Sequence, residues 1–480
     1  MTLVGCSETA GTGGSGGSAG TGGMPECGTP QDCDDSNECT DNTCADGTCE
    51  STPVADGTAC KDGNECSTGM CADGICESTP VADGTACEEG NECSTGMCAD
   101  GICESTPVTD GTACEEGNEC STGMCGGGVC VPGADGTACG DDVGTCQQGG
   151  CQVACTEQGI LDAIAAGGGR FTFDCDGPTT VVTVAEIIID NDVILDGEGK
   201  LTVTGFTVTG NAVVELRGMT LTGGITNRGY PTLVDIAITG GGIYNIGVMT
   251  ATRVAVSGSD RGIDNVGRLT ADNLEVSGNT IGVQNSGTIV GTGVTVSNNE
   301  VTAVDAPGIG VRNYDGGTMT LTNCTISGNT VSDPDNLLFQ IAIWNVGVMT
   351  LTHCTVVGDG TDMRSISNWG PLTASNTLID SGCKNGRTSI SSTGYNIESP
   401  GDSCGFDQPS DQVNVSAEDL KLGPLQDNGG PTETHALGEG SVAINLIPEA
   451  MCEVDEDQRG VERPQGPTCD VGAVEMEGAP

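Results

Sequence analysis

Across 480 residues the chain carries 79 Gly and 29 Cys but only 5 Phe, 4 Tyr and 2 Trp, a composition that excludes an ordinary globular enzyme and points to repeats. A formal charge of −53 argues against nucleic acid or an anionic membrane surface as partner, because polyanions are repelled, and any charged partner is expected to be cationic. The richest apolar stretch, 181–195, is interrupted by Glu186, Asp190 and Asp192, so no helix is expected to cross a bilayer.

Residues 1–26 read as an address and a tether. Leu3-Val4-Gly5-Cys6 resembles the cleavage box of bacterial lipoproteins. That resemblance implies that Cys6 becomes the lipidated first residue of the mature protein, that a leader precedes the first residue given, and that the protein is exported to the outer membrane or cell surface. The membrane would then be met only through the lipid. The Gly/Ser/Thr run at 11–23 is a flexible spacer, and setting Cys6 aside leaves an even number of cysteines. Gly16-Gly17-Ser18-Ala19-Gly20 matches a nucleophile elbow by letter, but no strand precedes it and no helix follows, so it carries no chemistry.

Residues 27–154 repeat with a period of 27, from Cys33-Cys39-Cys44-Cys49 through Cys60, Cys87 and Cys114, and a shortened unit, Cys139-Cys146-Cys151, closes the array. Each unit holds scarcely any large apolar side chain beyond Met70 or Ile75 and their equivalents, so disulfides must replace a core. Zinc is disfavoured because both histidines, His353 and His435, lie outside this segment. The array resembles the tandem cysteine-rich modules of bacterial surface proteins; spacing leaves its pairing open. Asp32, Asp34, Asp35, Glu38 and Asp41 offer oxygen ligands to calcium, yet the EF-hand pattern is absent, and a solvated, self-repelling stalk without cofactor is expected.

Residues 155–380 change to short Val/Ile/Leu/Thr runs between glycines, with a period near 20. An apolar-x-Asn-x-Gly core places Asn227, Asn245, Asn265, Asn285, Asn313, Asn345 and Asn368 in equivalent positions. Period-2 strands with Asn and Gly at fixed corners describe a parallel β-helix, whose stacked Asn side chains form a structural ladder. The expected fold is all-β: a right-handed parallel β-helix solenoid preceded by a disulfide-rich repeat stalk with little regular secondary structure. Longer spacings after Asn285 and Asn313 put loops near 303–308 and 333–339, a functional edge. A helix at 156–166, capped by Thr156 and with Ile160, Leu161 and Ile164 on one face, should cover the first coil.

Residues 381–480 form the C-terminal capping region. Gly429-Gly430-Pro431-Thr432, His435, Asp457-Gln458-Arg459-Gly460 and Asp470-Val471-Gly472-Ala473 resemble the terminal region of bacterial surface β-helix proteins of the choice-of-anchor type, with repeats like those of polymorphic outer-membrane proteins. Asn445, where many members carry Asp, and Glu462 depart from that pattern. The family implies a surface-located β-helix and brings no catalytic residues. Parity pairs the remaining cysteines as near neighbours: Cys155 with Cys175, Cys324 with Cys354, Cys383 with Cys404, and Cys452 with Cys469. Cys324 and Cys354 hold the same place in successive coils, about 4.8 Å apart, within disulfide reach.

Sugar-processing β-helix enzymes need a base with calcium ligands, or paired carboxylates. Asp260-Arg261-Gly262-Ile263-Asp264, with Arg268 nearby, is the nearest cluster, but Gly241 and Thr280 stand at matching positions of adjacent coils, so Arg261 and Asp264 read as a surface ion pair. His435 reads as a hydrogen-bonded structural residue, His353 as exposed, and Asp457 with Arg459 as a paired turn. The expected function is adhesion or binding by a monomeric, non-catalytic surface protein, its partner a surface protein or polysaccharide. A polysaccharide lyase or hydrolase and a passive envelope spacer are the alternatives. Sparse aromatics, Tyr230, Tyr244, Tyr314, Trp344 and Trp369, tilt the reading toward a protein partner.

Overall fold

The computed structural model describes residues 39–478 apart from 46–47, 56–57, 61–66, 73–74, 83–84, 88–93, 100–101, 110–111, 113–119, 127–128, 133–134, 141–142, 148–149, 302–307, 332–339 and 359–364. Cys6, most of the acidic calcium candidates and nearly all of both expected loops lie outside these residues. The chain divides into two compact units, one comprising 1–114 with 123–130 and the other 115–122 with 131–480.

In the first unit the described residues form short antiparallel hairpins, two of them extended by a two-residue third strand, Ala59–Cys60 and Ala86–Cys87. Thr40–Ala45 pairs with Thr48–Pro53, Ser67–Ala72 with Ile75–Pro80, and Ser94–Ala99 with Ile102–Pro107. Each hairpin sets two cysteines opposite one another, as in Cys71 and Cys76. Thr58, Thr85 and Thr112 close the linkers identically, each hydroxyl donating to the carbonyl three residues earlier. Met70 and Met97 are about half exposed, and among the described residues of this unit only cysteines are buried. A disulfide joins Cys39 of one repeat to Cys71 of the next.

The second unit is a parallel β-solenoid built from a 17-stranded and a 10-stranded sheet, the long and short sheets. Two antiparallel strands of the shortened cysteine unit, Ala138–Cys139 and Gly144–Gln147, open the long sheet, and the first parallel strand, Gly150–Ala154, pairs with Arg170–Asp174. The helix Glu157–Ala166 follows, with the Thr156 hydroxyl accepting from Gly159 N. It buries Ile160 and Ile164, whereas Leu161 points outward and is exposed. A Cys155–Cys175 disulfide ties its start to the end of the second strand.

The coil Ile243–Asn245 then Val248–Val256 shows how sequence becomes solenoid. Met249 and Ala251 point inward, but so do Val254 and Val256, which strict alternation would forbid. Arg253 absorbs the mismatch with φ 52°, a left-handed bend that resets the phase. Gly218, Asp235, Asn273, Gly293, Asn323, His353 and Asn376 take the same bend in other coils. Asn and Gly tolerate this conformation best. Each coil therefore buries several aliphatic side chains, each worth roughly 1.5–3 kcal/mol relative to exposure.

Strands at Cys383–Asn385, Ser391–Gly394 and Ile397–Ser399 still pair in the two sheets, so coiling continues past residue 380. The remaining tail does more than cover the end. It runs back along the long sheet and docks on Thr295, Thr325 and Thr355, three stacked residues. Thr295 donates to Glu433 O, Thr325 to Gln458 Oε1, and Thr355 Oγ1 accepts from Ala473 N.

Candidate functional site

The seven predicted asparagines are all buried, and each amide from Asn227 to Asn345 donates to the next carbonyl oxygen at 2.6–2.9 Å. They sit at strand ends rather than in a left-handed corner. A second ladder, Asn279 to Asn299 to Asn329, lines another corner. Ser-Gly-Asn and Ser-Asn-Asn triplets mark it in the sequence, a shorter signal than the apolar-x-Asn-x-Gly core. Cys324 and Cys354 are register partners joined by a buried disulfide with Cα atoms 4.4 Å apart; Cys383–Cys404 and Cys452–Cys469 hold the C-terminal coils and tail. Cys120, Cys139 and Cys151 cluster, but their sulfurs are spent in the Cys120–Cys146 and Cys139–Cys151 disulfides.

Neither histidine is available for chemistry. His353, expected at the surface, is fully buried beneath the tail, because it occupies the left-handed bend on which the tail lies. Its Nε2 donates to Cys452 O, while Nδ1 has no partner. Burial, reinforced by the Arg463 charge, pulls its pKa down to about 3. His435 bridges Gly423 O at 2.7 Å and Ser327 Oγ at 2.8 Å, and burial lowers its pKa too. Arg459 forks onto Asp457, and the buried pair Arg463–Glu475 is 2.9 Å apart, with burial raising the adjacent Asp470 to about 6. Arg261 and Asp264 form a 2.7 Å ion pair at the surface, with Arg261 more than half exposed. These groups hold the fold.

The outer surface of the short sheet is different. Register places Thr226, Tyr244, Asp264, Gln284, Arg312 and Trp344 in one outward column, continued by Ser367 and Lys384. The next residue after each ladder Asn forms an adjoining corner column that includes Arg228, Val266, Tyr314 and Trp369. Beyond it, the long-sheet strands begin with Tyr230, Val248 and Arg268. These three columns are contiguous along every coil and make one band. Tyr314 and Trp344 meet edge to face at 5.8 Å, Arg312 lies 5.9 Å from both rings, and Lys384 lies 5.8 Å over Trp369. Tyr230, Tyr244, Val248, Val266 and Trp369 are each 39–49% exposed, an open apolar stripe. At one end Tyr244, Thr226, Thr207 and Glu186 line a groove of about 350 Å³ floored by Gly223, Gly224 and Gly241. What the arrangement offers is contact: flat rings and short hydroxyl side chains on successive coils, with Arg312 and Lys384 beside the rings.

No family model matches the chain, and no curated protein matches it. Among solved structures it is similar to the crystal structure of pectate lyase Pel9A, at 15% sequence identity and a TM-score of 0.40, over 66% of this chain and 90% of that one.

Proposed function

We propose that this chain is an exported, surface-anchored and non-catalytic binding protein that holds an extended partner along the short-sheet band. The observation that carries the reading is the placement of aromatic side chains. Both tryptophans and three of the four tyrosines fall in that one band, although coil geometry offers outward positions all around the solenoid. Aromatic rings exposed in a row supply large contact area at small conformational cost, the usual anchor of a binding surface. The disulfides on both units suit an oxidising compartment, and Cys6 would supply the anchor. Binding is favoured over catalysis because, in the cluster nearest a catalytic pattern, Asp264 is engaged in an ion pair with Arg261.

The test uses the full chain with disulfides intact, incubated with a polysaccharide panel and with intact cells. Retained partner and unsaturated or reducing products are scored together. Binding lost on Tyr244→Ala with Trp344→Ala, without any product formed by the unmodified chain, is the expected result. Product formation would replace this reading with an enzyme, and binding indifferent to both substitutions would move the site elsewhere.

A further inference from the structure

The basic side chains of the β-helix are distributed unequally. Four on the long sheet are matched to carboxylates: Arg170 with Asp196, Lys200 with Glu198, Arg217 with Glu215 and Arg253 with Asp235. The tail matches Arg459 with Asp457 and Arg463 with Glu475. Along the short-sheet band Arg261 is paired with Asp264, whereas Arg228, Arg268 and Lys384 are exposed and, among the described residues, have no carboxylate partner. In a chain with 68 acidic residues against 15 basic ones, carboxylates are plentiful, so exposed cations left unmatched beside the aromatic rings are open to an acidic ligand.

Resting on the binding reading above, we infer that the band's ligand is a linear, carboxylate-bearing polysaccharide, a chain of acidic sugars laid along the solenoid axis. Three features select it. Guanidinium groups present paired donors that match a planar carboxylate. Rings beside them, Trp369 under Lys384 and Tyr230 between Arg228 and Val248, give flat apolar faces for sugar rings, which a simple polyanion would not use. The unmatched cations stand on the first, third and eighth coils of this series, with aromatic rings between them, and span seven coil steps or about 34 Å, a length that suits a polymer rather than a small anion. The whole-chain charge of −53, which on its own favours cationic partners, does not oppose this. At physiological salt, charges more than about 8 Å away are largely screened, so the local cations decide.

The test is binding of the full, oxidised chain to alginate oligomers, to neutral dextran and laminarin oligomers, and to polyglutamate, by calorimetry at two salt concentrations. Alginate is expected to bind at least about tenfold more tightly than the other three and to weaken with salt. Arg268→Glu with Lys384→Glu should reduce alginate binding by about tenfold or more, the scale of one lost charge-assisted contact. Lys200→Glu, on the long sheet, should leave it within about twofold. Trp369→Ala should reduce it as well, with melting temperature confirming that each variant is folded. Neutral glycans bound as tightly as alginate overturn the acidic-sugar assignment, and polyglutamate bound equally overturns the sugar. If alginate does not bind while Tyr244→Ala with Trp344→Ala abolishes binding to another partner, the inference fails and the binding reading survives. If none of these variants alters any binding, both fall.

Discussion

Cys71 in the repeats and Leu269 in the β-helix are both almost fully buried, yet they are fixed by different means. Cys71 is held by a covalent bond to a residue 32 positions away, in a unit whose methionines face water. Leu269 lies between Met249 and Ile289, its register partners in the coils before and after, in a continuous apolar interior enclosed by backbone ladders. Both regions are repetitive and poor in aromatics. The difference is that a coil of about 20 residues can bury its apolar face against its neighbours, while a 27-residue cysteine unit has almost none to bury.

The strongest way to break this comparison is reduction. With all disulfides reduced, segment 27–151 is expected to lose its resistance to protease, since removing native bridges from small modules costs about 2–5 kcal/mol each. The β-helix should remain folded. Limited proteolysis with thiol counting checks this, and a reduced segment that still resists cleavage would break the contrast.

The next largest effect lies inside the solenoid. Asn285→Ala takes one acceptor from the Asn265 amide, which keeps Gly267 O and Thr288 O, and removes the donor to the buried Asn313 Oδ1 and to the part-buried Thr318 O. At about 1–3 kcal/mol per unsatisfied group, the local loss should reach roughly 3–5 kcal/mol. Hydrogen exchange in the flanking coils measures it. Protection unchanged within about 1 kcal/mol would mean that the backbone ladder alone carries the stack.

A third prediction separates the tail from both repeats by pH. The folded His353 value near 3 lies below its ordinary 6.5, so the folded state favours neutral imidazole. Its contribution is full above 6.5 and is lost as pH falls toward 3, about 3 kcal/mol by pH 4. Asp470, raised to about 6, acts oppositely: its contribution is full below the ordinary carboxylate range and fades as pH rises through 6. His353→Asn keeps a residue suited to positive φ and removes the stronger of these two pH dependences. Acid melting of the tail should then begin at lower pH, and an unchanged profile would shift the effect to other groups.

The smallest expected effect is at the surface. Arg261→Ala, breaking the exposed pair with Asp264, should change stability by less than about 0.5 kcal/mol, as read by denaturant melting. A larger loss would show that this corner is part of the framework.

Periodic features were legible in the sequence because each coil repeats its neighbour's environment. An Asn at a fixed place must stack on the next Asn, and Cys324 must meet Cys354, once the register is set by alternation and turn length. The helix cap at Thr156 was readable for a similarly local reason, while the outward turn of Leu161 depended on which strand the helix covered. The left-handed column was harder to see, since Asp235, Arg253 and His353 share no residue type with Gly293 or Asn323, and only the backbone geometry unites them.

Sequence by itself determined the two kinds of repeat, the coil register and the asparagine ladder, because these depend on contacts between residues one period apart. The tertiary structure decided where the tail returns, through bonds such as Gln458 to Thr295 and Ala473 to Thr355, and thereby why His353 is buried. It also decided that Tyr230, Tyr244, Trp344 and Trp369 share a band with Arg228, Arg268 and Lys384. The physical reason is the same for both. Outward positions carry no apolar period to read, so what meets on the surface depends on how far the coil turns between residues and on the path the chain takes after the last coil.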